Sequence, residues 1–204
     1  MAKYSINNCA IVILAAGTSS RLGSPKQLLI FNNKTLLQHA IDTALNTGCK
    51  NVMVVLGAHF DLIKNQLTHQ PVQVIENKDW QEGMASSIRY ALQNITMAGY
   101  QPECVIFMVC DQPFVTSTLL LALIEEGNKT GSPIIAAGYG EKAGTPALFN
   151  SGMFLQLLEL KGDKGARSIF EAHPRLVTKV PFPEGVIDVD TVADYELLKR
   201  ENDY

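Results

Sequence analysis

The apolar residues of this sequence fall into short uninterrupted runs, and segments with helical spacing separate them. Residues 11–14, 52–56 and 104–109 are apolar without alternation, which is typical of strands buried on both faces of a parallel sheet. Residues 72–75 and 134–137 predict two further short strands. The pattern therefore predicts an α/β fold with a mostly parallel central sheet flanked by helices.

Helix starts are marked by capping residues. Thr35 with Gln38, and Thr191 with Asp194, have the spacing of a capping box ahead of a helical pattern. Thr116 is placed to cap a further helix, because a threonine hydroxyl can accept a hydrogen bond from an N–H of the first turn. We therefore expect helices that begin just after residues 35, 116 and 191.

Two segments of less regular pattern lie in the second half of the chain. Residues 186–191 alternate apolar and acidic side chains, which predicts a strand with Asp188 and Asp190 on one face and Val189 on the other. Residues 138–144 form a glycine-rich connection whose glycines could instead serve the turn of a hairpin.

Composition narrows the class of protein. With 204 residues, 47% of them hydrophobic and 18% charged, the chain suits a single soluble domain. A net charge of −3 provides no broad basic field for nucleic acid. The apolar run at 9–17 is too short to span a membrane, and no signal peptide is evident. The cysteines lack metal-binding spacing, so we expect reduced core thiols and a cytoplasmic enzyme.

The stretch from 11 to 26 carries the first candidate chemistry. Small residues, Ala15, Ala16 and Gly17, follow the buried run, and the cations Arg21 and Lys26 come after a group of hydroxyl residues. Exposed backbone N–H groups and paired cations at a strand end suit a polyphosphate. Neither the Walker pattern nor the dinucleotide fingerprint G-x-G-x-x-G fits this stretch.

Two more strand ends carry candidate groups. A glycine loop at Gly83 precedes a predicted helix with Ser86 and Ser87, and a helix start of this kind suits ribose, base or phosphate oxygens. Asp111 follows the apolar run at 104–109, where its carboxylate could hold a magnesium ion shared with phosphates.

Taken in order, these motifs resemble the MobA-like NTP transferase family, which includes the molybdenum-cofactor cytidylyl- and guanylyltransferases. The signature L-A-A-G-x-S-x-R-x-G-x-x-K is matched at Leu14, Ala15, Ala16, Gly17, Ser19, Arg21, Gly23 and Lys26. Further matches are an E-G-M-x-x-S segment, C-D-Q-P, G-x-P, G-D-K-G-A-R and D-V-D-T, which place Gly83, Met84, Ser86, Ser87, Asp111, Gly144, Pro146, Lys164, Gly165, Arg167 and Asp190.

The resemblance implies a single Rossmann-like nucleotidyltransferase domain over residues 1–204. It implies that Lys26, Arg21 and Asp111 act in catalysis and that Asp111 and Asp190 hold Mg²⁺, with Asp188 left open as a further ligand. The Leu14–Gly17 signature, Gly83, Ser86 and Ser87 would bind the nucleoside triphosphate, and Gly144, Pro146, Lys164, Gly165 and Arg167 would receive a phosphorylated acceptor.

Within that family, L-A-A-G is similar to cytidylyl enzymes and L-A-G-G to guanylyl enzymes, so CTP is preferred over GTP. Molybdopterin is the acceptor by analogy, with handover of the product to a molybdoenzyme or its chaperone. Three alternatives stay open: a guanylyl- or sugar-phosphate nucleotidyltransferase of the same fold, a non-catalytic nucleotide-binding module, and a nicotinamide-dependent oxidoreductase lacking its usual fingerprint.

Overall fold

A computed structural model describes residues 4–200, which form a single α/β domain. The strands are β1 (Cys9–Ala15), β2 (Ile30–Phe31), β3 (Lys34–Thr35), β4 (Asn51–Leu56), β5 (Gln73–Glu76), β6 (Cys104–Val109), β7 (Ile134–Tyr139), β8 (Lys142–Asn150) and β9 (Val177–Pro181). The α-helices are α1 (Leu36–Leu45), α2 (Phe60–Lys64), α3 (Met84–Met97), α4 (Ser117–Thr130), α5 (Phe154–Leu158), α6 (Arg167–Ala172) and α7 (Val192–Arg200).

The central sheet has seven strands in the order β5-β4-β1-β6-β8-β7-β9. β1 pairs in parallel with β4 and β6, β4 with β5, and β7 with β9. β8 is antiparallel to both of its neighbours. The predicted mostly parallel sheet is confirmed, and the carboxyl ends of β1, β4, β5, β6, β7 and β9 meet at one edge.

Helices cover both faces of this sheet. On one face α1, α2 and α4 pack on side chains such as Ile11 and Ile13 of β1. On the other face α3, α5 and α6 pack on Val12 and Leu14. Every residue of β1 is buried, which agrees with its lack of alternation. β2 and β3 form a separate two-stranded ribbon.

The glycine-rich segment at 138–144 is a hairpin. β7 and β8 pair antiparallel through Tyr139 and Lys142, with Gly140 and Glu141 between them. The glycine-rich connection is therefore the turn of a hairpin, which is one of the two alternatives that the sequence left open. Six of the seven residues at 138–144 are polar or small. The hydrophobic pattern therefore could not distinguish a hairpin turn from another kind of connection.

Residues 186–191 are not a strand, which corrects the prediction. After a 3-10 turn at Pro183–Val186, the chain runs extended without joining the sheet. The alternation still describes burial, because Val189 is fully buried among Phe31, Leu36 and Leu198. The Val189 N–H donates to the Asp111 carbonyl at 3.1 Å, which anchors this segment beside the end of β6.

The predicted helix caps are present. The Thr35 hydroxyl accepts from the Gln38 N–H at 3.0 Å, and the Thr116 hydroxyl accepts from Leu119 N–H at 3.2 Å. At the third cap, the Asp194 carboxylate accepts from Thr191 N–H and the Thr191 hydroxyl accepts from Asp194 N–H, at 2.7 and 3.2 Å.

The four cysteines, Cys9, Cys49, Cys104 and Cys110, are buried free thiols, as expected. Burial raises the pKa of the Cys110 thiol to about 12, with a further increase from Asp111. Over residues 4–200, none of the helices has the length and apolar character needed to cross a membrane.

Candidate active site

Lys26 joins two carboxylates that come from distant parts of the chain. Its Nζ donates to Asp190 Oδ1 at 2.7 Å and to Asp111 Oδ2. Arg21 Nη2 donates to the other carboxylate oxygen of Asp190 at 2.9 Å. The loop after β1, the end of β6 and the segment before α7 thus meet at one lysine.

The electrostatics of this cluster follow from burial and pairing. Burial alone would lower the pKa of Lys26, but the charge of Asp111 and the hydrogen bonds to Asp111 and Asp190 outweigh it and raise that pKa. The hydrogen bond from Lys26 lowers the pKa of Asp190, helped by the charges of Lys26 and Arg21. Burial, and then the negative charges of Asp190 and Asp111, raise the pKa of Asp188.

Two cavities meet at this cluster. The first, of about 490 Å³, lies against the loop after β1, and we call it the β1 cavity. The second, of about 720 Å³, lies against the β7–β8 hairpin, and we call it the hairpin cavity. Both are lined by Lys26, Asp111, Val109 and Met84. A group held by Lys26 and Asp111 would therefore be reached from either cavity.

Most of the residues expected to bind the nucleotide line the β1 cavity. They are Leu14, Ala15, Ala16, Gly17, Lys26, Gly83 and Ser87. The expected catalytic residues Arg21 and Asp111 line the same cavity. At Gly17 a Cβ would meet no atom within 4 Å, so a ligand has room to approach the backbone there. The motif loops after β1 and β5 thus share one cavity, as their positions at strand ends predicted.

Ser19, Gly23 and Ser86 do not line the β1 cavity. The Ser19 hydroxyl accepts from the Lys26 N–H at 2.9 Å, so it closes the loop rather than facing the cavity. Gly23 has a φ of +71°, a left-handed backbone conformation that favours glycine, so its glycine serves the conformation of the loop. Ser86 is fully buried and donates to the Gly83 carbonyl at 2.8 Å. In this structure these three residues support the loops around the cavity, and their contact with a ligand stays a prediction.

Asn77 orients the serine that does line the cavity. Its Nδ2 donates to Ser86 Oγ at 2.8 Å and to Ser87 Oγ at 3.0 Å, and Asn77 itself is fully buried. Ser87 Oγ therefore accepts from within the protein and keeps its own proton for a ligand. Sequence reasoning assigned no role to Asn77, although a polar residue two positions after the predicted strand at 72–75 was a signal.

Among the expected acceptor residues, Gly144, Lys164 and Arg167 line the hairpin cavity, and so does the expected metal ligand Asp190. Pro146 and Gly165 do not. Pro146 is buried in β8 behind the cavity wall. A Cβ at Gly165 would lie 2.6 Å from Met84 Sδ, so this glycine serves close packing. For these two residues, contact with an acceptor stays a prediction.

Gly83 joins the two halves of the site. It has a φ of +111°, and a Cβ there would lie 2.1 Å from Asp163 Oδ1 and 2.8 Å from the Gly162 backbone. The Ala85 N–H also donates to the Gly162 carbonyl at 3.1 Å. The E-G-M and G-D-K-G motifs, distant in sequence, are therefore packed directly on each other.

A hydrogen-bonded group that the sequence did not reveal supports the hairpin cavity. Gln112 Nε2 donates to Tyr139 Oη at 2.9 Å and to the Gly185 carbonyl at 3.2 Å, and Gln112 Oε1 accepts from the Thr145 hydroxyl at 3.2 Å. The Tyr139 ring fills the space that a Cβ would need at both Gly144 and Gly185. Gln112 thereby fastens the hairpin beside Asp111.

The carboxylates of this cluster could hold a divalent cation. Over residues 4–200, no group of three or more His, Cys, Asp or Glu side chains is arranged to hold a metal ion. Asp111 Oδ1, however, is buried without a hydrogen-bond partner in the same range. An orphaned carboxylate oxygen beside a second carboxylate fits a hard cation that completes its shell with water and phosphate oxygens.

A parallel sheet whose carboxyl edge carries a small-residue loop, paired cations and two carboxylates defines a nucleotide-binding α/β protein. The chain belongs to the MobA-like NTP transferase domain family, which matches residues 11–177. The family expected from the motifs is confirmed.

The chain is similar over most of its length to a curated protein and to several solved structures. Over 199 residues the chain is 31% identical to the nicotine blue oxidoreductase of Paenarthrobacter nicotinovorans, covering 92% of this chain and 95% of that protein. A crystal structure of the Mycobacterium tuberculosis rv0371c homologue from Mycobacterium sp. strain JC1 has a TM-score of 0.81 at 30% identity, covering 95% and 96% of the two chains. A manganese complex of Rv0371C from Mycobacterium tuberculosis H37Rv has a TM-score of 0.78 at 27% identity, covering 94% and 98%.

Proposed function

We propose that this protein transfers a nucleoside monophosphate, with CMP from CTP as the first choice, to a phosphorylated acceptor and releases pyrophosphate. The observation that carries the proposal is the position of Lys26, which lies where the two cavities meet and contacts Asp111 and Asp190. Two substrates bound in separate cavities would react at this junction.

In the proposed reaction the triphosphate lies in the β1 cavity and the acceptor in the hairpin cavity. An acceptor phosphate oxygen attacks the α-phosphorus, a new P–O bond forms, and the bond between the α-phosphorus and the leaving pyrophosphate breaks. The acceptor phosphate is already ionised at neutral pH, so no general base is needed. Catalysis rests on positioning and on stabilising negative charge.

The protein supplies those charges from the loop after β1. Lys26 is held by two carboxylates and remains protonated because its pKa is raised. Arg21 extends from the same loop with a side chain that is 66% exposed, so it is free to turn toward phosphate oxygens. Both cations would neutralise charge that develops on the α-phosphoryl and leaving groups.

Mg²⁺ would be held by Asp111 and Asp190, and the orphaned Asp111 Oδ1 supports this assignment. When bound, the ion would supply charge neutralisation for phosphate oxygens. Asp188 lines the hairpin cavity near both carboxylates and is a further candidate for the same site. The Mn²⁺ complex of Rv0371C supports divalent-cation binding in a protein of this fold.

The identities of base and acceptor rest on motif resemblance. Ala16, the residue of the L-A-A-G signature that differs in guanylyl enzymes, lines the β1 cavity and favours CTP over GTP. Molybdopterin is the proposed acceptor, and Lys164 and Arg167, which line the hairpin cavity, would contact its phosphate. The product would then pass to a molybdoenzyme or its chaperone. A sugar phosphate is the main alternative acceptor.

Pyrophosphate release tests the proposal. The protein is incubated with CTP, GTP, ATP or UTP and Mg²⁺, together with molybdopterin or a sugar phosphate. We expect release that requires both a triphosphate and an acceptor, with CTP the best donor. Triphosphate binding without release under every pairing would instead favour a non-catalytic nucleotide-binding module.

A second candidate function is oxidation–reduction, because a relative covering nearly the whole chain is named nicotine blue oxidoreductase. A nicotinamide cofactor would have to bind this chain without the G-x-G-x-x-G fingerprint. Thermal stabilisation separates the candidates, since a ligand that binds the native state raises the melting temperature. Stabilisation by NADH or NADPH, and none by triphosphates, would favour the redox activity.

A further inference from the structure

Gln27 occupies an unusual position next to Lys26. Its side chain is fully buried although it is polar. Its Nε2 donates to the Ala15 carbonyl at 2.7 Å and to the Gly17 carbonyl at 3.1 Å. One amide group therefore holds both sides of the turn that follows β1. Both carbonyls belong to the loop that lines the β1 cavity.

The orientation of this amide is determined by its partners. A carbonyl oxygen can only accept, so the atom between Ala15 O and Gly17 O must be the NH₂ group rather than Oε1. Both N–H donors of Gln27 are then used. Gln27 Oε1 is buried and has no partner among residues 4–200, so it provides an acceptor beside the cavity.

The carbonyls of this turn are all held by the protein. Gln27 takes those of Ala15 and Gly17, and the Ala58 N–H donates to the Ala16 carbonyl at 3.0 Å. By contrast, the N–H groups of Gly17 and Thr18 take no partner in the part of the chain that the structure describes. The turn therefore keeps its acceptors occupied and its donors available.

This arrangement matters because the expected ligand is a polyanion. A carbonyl dipole that turned toward a phosphate would repel it, whereas free N–H groups attract it. A small-residue turn has little side-chain packing to prevent its peptide groups from rotating. Two hydrogen bonds from a single rigid amide provide that restraint.

We propose that Gln27 is a positioning residue that holds the Ala15–Gly17 turn in its anion-binding conformation. It acts through the turn and not by contact with phosphate. Gln27 directly follows Lys26, whose N–H donates to Ser19 Oγ at 2.9 Å, so the same short segment also fixes the far end of the loop. The position of Lys26 is thereby fixed relative to the Ala15–Gly17 turn. The inference rests on the proposed function for its ligand, a triphosphate.

Isothermal titration calorimetry with CTP and with inorganic tripolyphosphate, both in the presence of Mg²⁺, tests the proposal. Gln27→Met keeps the approximate shape and removes both donors, and Gln27→Glu keeps the shape with an acceptor in place of the donors. Because two hydrogen bonds are lost, we expect either variant to bind both probes about 10-fold more weakly. Tripolyphosphate has no base, so its loss of affinity reports on the loop alone.

Asn150→Ala is the matched control. Asn150 also carries a buried amide oxygen without a partner, but it lies at the opposite end of the sheet, where β8 pairs with the start of β6. We expect this variant to keep the wild-type affinity for both probes. Wild-type affinity for tripolyphosphate in folded Gln27→Met would overturn the proposal, as would an equal loss in Asn150→Ala.

If the Gln27 variants fail to fold, side-chain amide signals of the wild-type protein provide the second measurement. We expect the Gln27 NH₂ protons to exchange slowly and their signals to shift when tripolyphosphate is added, unlike those of the exposed Gln156. Fast exchange and an unchanged Gln27 signal would overturn the proposal. Failure of the proposed function would give a different result. The wild-type protein would then release no pyrophosphate, whatever the affinities of the Gln27 variants for tripolyphosphate.

Discussion

Lys26 Nζ lies 2.7 Å from Asp190 Oδ1, although the two residues are 164 positions apart in the sequence. The contact depends on α7, whose Leu198 packs with Val189 against Phe31 and Leu36. That small apolar cluster holds the extended segment before α7 against the rest of the domain. Asp190 consequently reaches the loop after β1 through the packing of residues that line neither cavity.

Removal of the Lys26 charge should reduce turnover. We expect Lys26→Met to lower kcat for pyrophosphate release by about 10²- to 10³-fold, as for other preorganised donors to a transition state. Arg21→Met should cost less, because the Arg21 side chain is 66% exposed and its interactions are weakened by solvent. Steady-state kinetics with CTP in excess measures both, and near-normal turnover in Lys26→Met would contradict its role.

Lys26 and a divalent cation should compete for the same carboxylates in the absence of nucleotide. The lysine already contacts Asp111 and Asp190, so a cation must displace it from both. We expect Lys26→Met to bind Mn²⁺ more tightly than the wild type when no triphosphate is present. Electron paramagnetic resonance of free Mn²⁺ measures this directly.

Lys34→Met provides the control for that experiment, because Lys34 pairs with Asp42 in an exposed ion pair outside both cavities. Its Mn²⁺ affinity should equal that of the wild type. Equal affinities in all three proteins would show that Lys26 does not compete with the cation.

Acid should weaken the fold partly through Asp190. Its pKa is lowered in the native state, so its contribution is present above the ordinary aspartate pKa and is lost as the pH falls through the native value. We expect the difference in unfolding free energy between wild type and Asp190→Asn to shrink from about pH 5 downward. Urea titrations in the presence of a chelator measure it, and a constant difference across this range would refute the linkage.

The raised pKa of Lys26 affects the free energy of unfolding at the opposite end of the pH range. Its stabilising contribution is present below the ordinary lysine pKa and is lost only as the pH rises through the higher native value. Both members of the pair therefore stabilise the fold near neutral pH. Of these two residues, only Asp190 should contribute to the loss of stability on the acid side.

Gly83 should tolerate no side chain. Its backbone conformation, with φ +111° and ψ −170°, is essentially restricted to glycine and costs other residues on the order of 1–3 kcal/mol. A Cβ would also collide with Asp163 and Gly162. We expect Gly83→Ala to lower both stability and CTP affinity, measured by thermal unfolding and calorimetry.

Gly99→Ala separates backbone strain from the collision. Gly99 also has a positive φ, +70°, but its Cβ would meet no atom within 4 Å. This variant should lose about 1–2 kcal/mol of stability and keep its CTP affinity. If the two variants behave alike, the packing of the two motif loops is not what binding requires.

The outcome of the sequence-based predictions differs between local and long-range features. The unalternating runs predicted buried strands correctly, and Thr35 and Thr116 cap the helices expected from their spacing. The antiparallel course of β8 was left open as the hairpin alternative at residues 138–144, because strand direction depends on how a connection folds back. The extended segment around Val189 was assigned to a strand, since its alternation reports burial and not pairing.

The sequence by itself determined where strands end, which loops carry small residues and cations, and that these loops share one edge of a parallel sheet. The spacing of apolar residues, the helix caps and the chain direction are local properties, and they suffice to predict these features. Only the tertiary structure decided that Asp190 meets Lys26, that Gln27 holds the turn beside it, and that Ser86 faces inward. These depend on packing between segments distant in the chain, which no local pattern encodes.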